Sequence, residues 1–473
     1  MKAFTEPLLS LAGFEEMTKT AEKSSGLISV TGCIDAQKSQ MIYAFGGHRK
    51  NKLIVTFGEQ KAKELYDEYS FFDKEVVYYP SKDVLFYQSD IRGNLLTAER
   101  IRALMAIREQ ESVTLVTTFD ALMNTMAPIE KMWENVQGQL LDLKEIQAAL
   151  IRMGYEKEYQ VQTMGQFSVR GGILDVFPLT EENPIRIELW GDEIDTIRYF
   201  DCESQKSIEN TDRVSIYPAA ELVLSDEEKA GGIDKLKAEA KRVSDKLRKQ
   251  MKTEEAHRVT VMADELTEEW GELSMYAGMD AFLSYFFDER VGLLDYFNPS
   301  DSLIFFDELT RCAEQGKLTE TEFSESMKQR LAMGYILPGQ MNGLFTEKEI
   351  VAKLGKYSCI ALAALDNKAN GLHQLGSYGI HCQSVSPYNN SFELLIKDLK
   401  RYKKNGYRVI LLSGSRTRAK RLSEDITDQG ITCFYTENYD HELSQGQIMV
   451  CYGKVRRGFE YPILKFAVIT ESD

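Results

Sequence analysis

Apolar and polar positions in the first third of the chain follow two alternating periods. Compact β-rich runs, "LISVT" from Leu27, "KLIVTF" from Lys52, "EVVYYP" from Glu75 and "SVTLVTTF" from Ser112, are separated by stretches of helical spacing. These helices begin near Gln37, at "EQKAKELYDEYSFF" from Glu59 and at "LLTAERIRALMAIRE" from Leu95. Strands alternating with helices predict right-handed crossovers and a mostly parallel, doubly wound sheet over residues 27–123. Gly46-Gly47 closes the first helix, and Gly58 opens the loop before the second.

The pattern then changes. After a helix at "LKEIQAALIRMGY" from Leu143, the stretch Tyr159 to Pro218 reads as short strands: "YQVQTM", "QFSVR", "GILDVFPL", "IRIELW", "EIDTIRYF" and "VSIYP". Turn signals at Gly171-Gly172, Asn183-Pro184 and Gly191-Asp192 join them, so the spacing predicts an antiparallel β-rich module inserted into the α/β domain. Residues 225–252 return to helical spacing, with Ile233, Leu236, Ala240, Val243, Leu247 and Met251 on one stripe, Ser225 as N-cap and Asp226, Glu227 and Glu228 in the first turn. "SLIFFDELTRC" from Ser302 reads as a buried strand ending in an acidic pair. The last hundred residues, from "GYRVILLSGS" to "ILKFAVITESD", repeat the β-α-β alternation and predict a further small α/β domain, with the break near Ser384 to Ser391.

Length and composition narrow this picture. A chain of 473 residues exceeds what one core organises, and 43% apolar with 27% charged residues is globular composition, not disorder. Fifty-seven basic against 73 acidic residues leave a net charge of −16, which works against non-specific attraction to phosphate backbones. A nucleic-acid role would need a local basic patch. The run "KRVSDKLRK" interleaves acids and reads as a solvated helix face. Tyr78, Tyr79, Phe86 and Tyr87 group beside a strand end and read as packing, not as a stacking platform. Seven cysteines without a C-x-x-C pair and five scattered histidines point to no disulfide framework and no metal site. With no signal-peptide pattern and no run of 18 apolar residues, a soluble protein of the reducing cytoplasm is expected.

Candidate chemistry lies first at the turn after Leu27–Thr31. Gly32, Lys38 and Ser39 meet the phosphate-loop pattern G-x-x-x-x-G-K-[ST], but the second glycine is Gln37. A side chain there either strains the backbone, at roughly 1–2 kcal/mol for a left-handed residue, or fills the space of the anion. Asp307 and Glu308 stand where a nucleotide-hydrolysing α/β domain places its metal-holding acid. The residues fit either a relic phosphate loop or a chance match. The second candidate is the β-rich module, where Arg170 precedes Gly171-Gly172 and Arg186, Glu188 and Trp190 share strand parity opposite Ile187 and Leu189. Outward Arg and Trp have the composition of a protein–protein hot spot. They equally fit a bland arrangement, with Trp190 packed under a loop and Arg186 paired with Glu188 or a nearby acid.

At "GQFSVRGGILDVFPLTEENPIRIELWGDEIDTIRYFDCESQKS" the chain resembles the UvrB-homology region of the bacterial transcription-repair coupling factor family. That pattern is R-G-G-x-x-D-V-F-P, then R-I-E, then D-E-I-D-x-I-R-x-F-D-x-x-[ST]-Q. "LLDYFNPSDSLIFFDE" is similar to the segment leading into the acidic motif of both UvrB and the coupling factors, and "ITESD" resembles the end of the UvrB-like region. The resemblance implies an α/β fold: a degenerate RecA-like, phosphate-loop-type parallel-sheet domain with an inserted antiparallel β-rich module and a further small α/β domain. Its boundaries would be 1–129 for domain 1a, 130–217 for the UvrA-docking domain 2, 218–378 for domain 1b and 379–473 for domain 3.

The resemblance further implies an adaptor that recruits UvrA to RNA polymerase stalled at a lesion. Arg170, Arg186 and Trp190 match the UvrA-contacting positions, Trp190 standing where Phe is usual. On this resemblance no residue of the stretch would be catalytic and no cofactor would be required in it. The polymerase-binding domain and the ATP- and magnesium-dependent double-stranded DNA translocase would lie beyond Asp473, and a monomer with no membrane association is expected. UvrB itself is the alternative: an ATP-hydrolysing subunit with an intact phosphate loop and a long aromatic hairpin that clamps damaged DNA. Gln37 and the 15 residues from Pro80 to Asn94, too few for that hairpin, count against it.

Overall fold

The computed structural model describes residues 1–46, 49–82, 93–132, 142–191, 193–272, 279–365, 371–389, 391–471 and 473. In chain order, β1 (Gly26–Thr31), β2 (Asn51–Thr56), β3 (Val76–Tyr79) and β4 (Val113–Thr118) enter a first sheet. A second sheet takes β5 (Glu156–Lys157), β6 (Gln166–Arg170), β7 (Ile173–Val176), β8 (Ile185–Trp190), β9 (Glu193–Phe200) and β10 (Ser207–Asn210). The chain returns to the first sheet with β11 (Ser302–Asp307), β12 (Ser358–Leu362) and β13 (Gln374–Gly379). It ends in a third sheet of β14 (Gln383–Ser384), β15 (Arg408–Ser413), β16 (Phe434–Tyr435), β17 (Ile448–Tyr452), β18 (Phe459–Tyr461) and β19 (Phe466–Thr470).

The first sheet has the order β13-β1-β12-β11-β2-β4-β3, with every neighbouring pair parallel. Three of its inner strands, Val113–Thr118, Ser302–Asp307 and Ser358–Leu362, are buried at every position, as strands covered on both faces must be. That burial is why they read as compact β-rich runs, and the predicted parallel α/β layer is borne out. Tyr78 and Tyr79 are buried in it, as the packing reading required; Phe86, Tyr87 and most of the Pro80–Asn94 gap lie outside the described residues.

The second sheet is antiparallel from β6 to β10, with the short β5 parallel to β6. Its inner face, Phe167, Leu174, Val176, Ile185, Ile187 and Ile197, packs on Ile146 and Leu150 of the helix Leu143–Arg152 and on Met153, which caps its C-terminal end. Two predicted strands are absent. At "YQVQTM" the amides of Gln162 and Thr163 bond to the Gln166 side chain instead of to a ladder. At "VSIYP" the Tyr217 carbonyl accepts from the Tyr155 hydroxyl, and the pairing with β9 goes instead to Ser207–Asn210, an exposed edge with no apolar alternation.

The helix Asp226–Lys249 begins at the predicted N-cap Ser225, which forms a capping box with Glu228, and buries Leu236, Ala240 and Leu247. Met251, counted in the apolar stripe, lies past the helix end and is exposed.

In the third sheet successive residues of β15 face opposite ways. Val409 and Leu411 pack with the helices Phe392–Lys404 and Arg416–Asp428, whereas Ile410 and Leu412 enter a core shared with Met41, Ile42, Ala62, Leu65 and Phe4. The helices Asp35–Gly46 and Glu59–Tyr69 thus lie between the first and third sheets and are buried against both.

Candidate functional site

The residues of the phosphate-loop pattern meet the acidic pair at the C-terminal ends of β1 and β11, where open α/β sheets bind ligands. Gly32 has φ +78, and a Cβ there would lie 2.1 Å from the Ile380 carbonyl oxygen, so only glycine fits. The loop that follows is short. The Gly32 and Cys33 amides donate to the Ala364 and Ala363 carbonyls at 3.2 and 2.9 Å, and the helix begins already at Asp35.

Gln37 therefore sits within the first helical turn and carries no positive φ, so the backbone strain weighed for this position does not arise. Its buried side chain turns toward the third sheet, where the Tyr461 hydroxyl lies 3.0 Å from Gln37 Oε1 and 3.2 Å from Gln40 Oε1.

Lys38 is buried and its ammonium group meets three carboxylates: Asp307 at 2.5 Å, Glu308 at 2.9 Å and Asp35 at 3.1 Å. An ammonium group has three protons, so all are committed. Burial opposes its charge, but Asp307 and Glu308 outweigh that and hold its pKa above the ordinary lysine range. The second Asp307 oxygen accepts from Thr56 at 3.0 Å, and Glu308, in a left-handed conformation with φ +60, also accepts from the Ala364 amide at 3.0 Å. Lys61 pairs with Asp35 at 3.0 Å. Two lysines against Asp35, Asp307 and Glu308 leave the cluster net negative. Ser39 Oγ is turned to Glu68 at 3.5 Å, a carboxyl that burial pushes up to about 7.

The β-rich module offers the other candidate. Gly171, at φ +62, and Gly172, whose Cβ would lie 2.8 Å from the Leu189 carbonyl, form the tight turn between β6 and β7. Strand registers then set two rows on the outer face: Ser168-Asp175-Arg186-Arg198 and Arg170-Ile173-Glu188-Thr196. Arg186, Glu188 and Trp190 share this face, as their parity predicts, but they differ in exposure. Trp190, at the end of β8, is 84% exposed, so it is not packed under a loop. The Arg186 side chain is only 12% exposed: it bonds to Asp175 at 2.6 and 2.8 Å and lies 4.3 Å over the Phe200 ring. Arg170 also reaches Asp175, at 2.7 Å, while Glu188 pairs with Arg198.

Asp175 is the residue that the strand pattern did not single out, although a charge between Leu174 and Val176 in a strand marks the face opposite the core. Tyr159, in the segment that the pattern predicts as a strand and the structure leaves outside the sheet, is also 84% exposed.

Residues 135–222 match a family model described as the UvrB interaction domain. The chain is 28% identical over 427 residues to a transcription-repair-coupling factor of Bacillus subtilis, a match that covers 89% of this chain and 36% of the relative. Transcription-repair-coupling factors of Staphylococcus haemolyticus and Staphylococcus aureus are each 26% identical, over 94% and 97% of this chain and 38% and 39% of their own lengths. The chain thus spans little more than a third of the relatives it matches. The resemblance first carried by the motifs around Arg170 and Arg186 extends along nearly the whole chain.

Proposed function

We propose that this chain is the recruiting region of a transcription-repair coupling factor, which docks UvrA through the outer face of the second sheet and performs no nucleotide chemistry itself. The observation that carries this reading is the convergence of Arg170 and Arg186 on Asp175, beside the exposed Trp190 and within the residues that match the UvrB interaction domain. A large exposed aromatic beside arginines supplies apolar contact area and directed, charge-assisted bonds. RNA polymerase binding and ATP-driven movement on double-stranded DNA belong, on this reading, to parts of the factor beyond this chain. The committed protons of Lys38 and the negative charge around it argue against the UvrB-like alternative of ATP hydrolysis.

Size-exclusion chromatography of the chain mixed with its cognate UvrA tests the reading. Co-elution as a stable complex is the expected result; independent elution at tens of micromolar overturns it.

A further inference from the structure

Two of the motif segments in the second sheet meet around one side chain. Asp175 is 1% exposed, and its oxygens accept from Arg170 Nη2, Arg186 Nε and Arg186 Nη2. Arg186 Nη2 also donates to Gln205 Oε1 at 2.9 Å. Gln205 is held at φ +58, a left-handed conformation that costs a non-glycine residue roughly 1–2 kcal/mol. The turn that holds it there is closed by Asp201, whose carboxylate accepts from the Ser204 amide and hydroxyl at 2.8 and 2.7 Å. The D-x-x-[ST]-Q stretch, Asp201 to Gln205, is thus a turn that presents Gln205 to Arg186.

The charge count of this cluster is uneven. Two guanidinium groups share one carboxylate, the neighbouring Arg198–Glu188 pair is balanced, and the Asp201 carboxylate is bonded to the Ser204 amide and hydroxyl. Arg170 Nε and Nη1 and Arg186 Nη1 have no protein partner among the described residues. Tyr159 borders the same face: its carbonyl accepts from Ser168, which is paired in register with Asp175. Trp190 lies on the same strand four residues beyond Arg186.

Resting on the UvrA-docking reading, we propose that Asp175 and Gln205 are positioning residues. They hold Arg170 and Arg186 as a preformed pair that takes one side-chain carboxylate from an acidic segment of UvrA, with Tyr159 and Trp190 as flanking aromatic contacts. A second carboxylate would balance the two guanidiniums, and arginines already fixed by Asp175 lose little further side-chain freedom on binding.

The test is the affinity for cognate UvrA of wild type, Asp175→Asn, Arg186→Ala and the Asp175→Asn/Arg186→Ala pair, with melting temperatures alongside. Asp175→Asn is expected to weaken binding about tenfold or more, as loss of a bond between charged groups does. In the Arg186→Ala background the same change is expected to weaken binding much less and to raise the melting temperature, because it removes a buried charge left short of partners. Wild-type affinity in Asp175→Asn, or an equal loss in both backgrounds, overturns the positioning role. Affinity that does not fall with added salt overturns the carboxylate. If Arg186→Ala and Trp190→Ala both bind as wild type, the docking reading itself fails, which is a different outcome from failure of Asp175 alone.

Discussion

Lys38 and Asp307, which by position would serve the phosphates and the metal of a nucleotide site, bond directly to each other at 2.5 Å. Both are buried, so each is the other's main compensation. Replacing Lys38 by Met leaves Asp307 and Glu308 without their cation and is expected to cost about 3–5 kcal/mol. Adding Asp307→Asn to that variant is expected to return part of the loss, since an amide is less costly to bury alone. Chemical denaturation of the two variants checks this, and equal stability of wild type and Lys38→Met would contradict it.

The same pairing bears on nucleotide binding. With every Lys38 proton committed and a net negative cluster, millimolar magnesium-ATP is expected to leave the melting temperature unchanged. A ligand that binds the folded chain well below its own concentration raises stability by mass action. A rise of several degrees would therefore contradict this account of the loop.

Glu68 makes stability depend on pH near neutrality. Burial pushes its carboxyl up to about 7 from 4.5, so the folded chain keeps a proton that the unfolded chain has released. Stability from this group is fullest below pH 4.5 and is lost as pH rises through about 7, by on the order of 3 kcal/mol. Denaturation of wild type and Glu68→Gln at pH 5 and pH 8 measures it. Wild type is expected to fall relative to the variant between the two; parallel behaviour would contradict the shift.

Glu221 acts in the opposite direction. Burial opposes its ionisation, but Arg100 and Lys82, at 2.8 and 3.0 Å, bring its pKa down to about 2. Its contribution is present above pH 4.5 and lost as pH falls toward 2. Arg100 is also buried, 4.2 Å over the Tyr79 ring, so Glu221→Gln leaves a buried guanidinium short of its partner, at about 3–5 kcal/mol. Acid denaturation should show the wild-type advantage shrinking below pH 4.5; a constant difference down to pH 2.5 would contradict it.

Much of the fold was legible because buried parallel strands such as Ser302–Asp307 carry an apolar run, here Leu303 to Phe306, and β8 alternates from Ile185 to Glu188. Ser207–Asn210 was not, because an exposed edge strand carries no apolar signal. The site was legible as residue types and only partly as geometry. Lys38 and Asp307 could be paired by motif. The role of Gln37 depends on Tyr461, more than four hundred residues along the chain, which no local pattern links to it. Likewise the parity of Arg186 placed it on the outer face, but its burial comes from Asp175 and Phe200 on neighbouring strands.

Of the residues proposed to dock UvrA, Trp190 can be changed with least effect on the fold, because its side chain stands exposed while removal of both arginines leaves Asp175 buried without a cation. Calorimetric titration of cognate UvrA with wild type and Trp190→Ala is therefore the most direct measurement. The account predicts saturable binding at micromolar affinity or tighter, weakened at least tenfold in the variant at an unchanged melting temperature, as for an interface anchor worth about 2 kcal/mol. Equal affinity of the two proteins, or no binding by wild type, would contradict it.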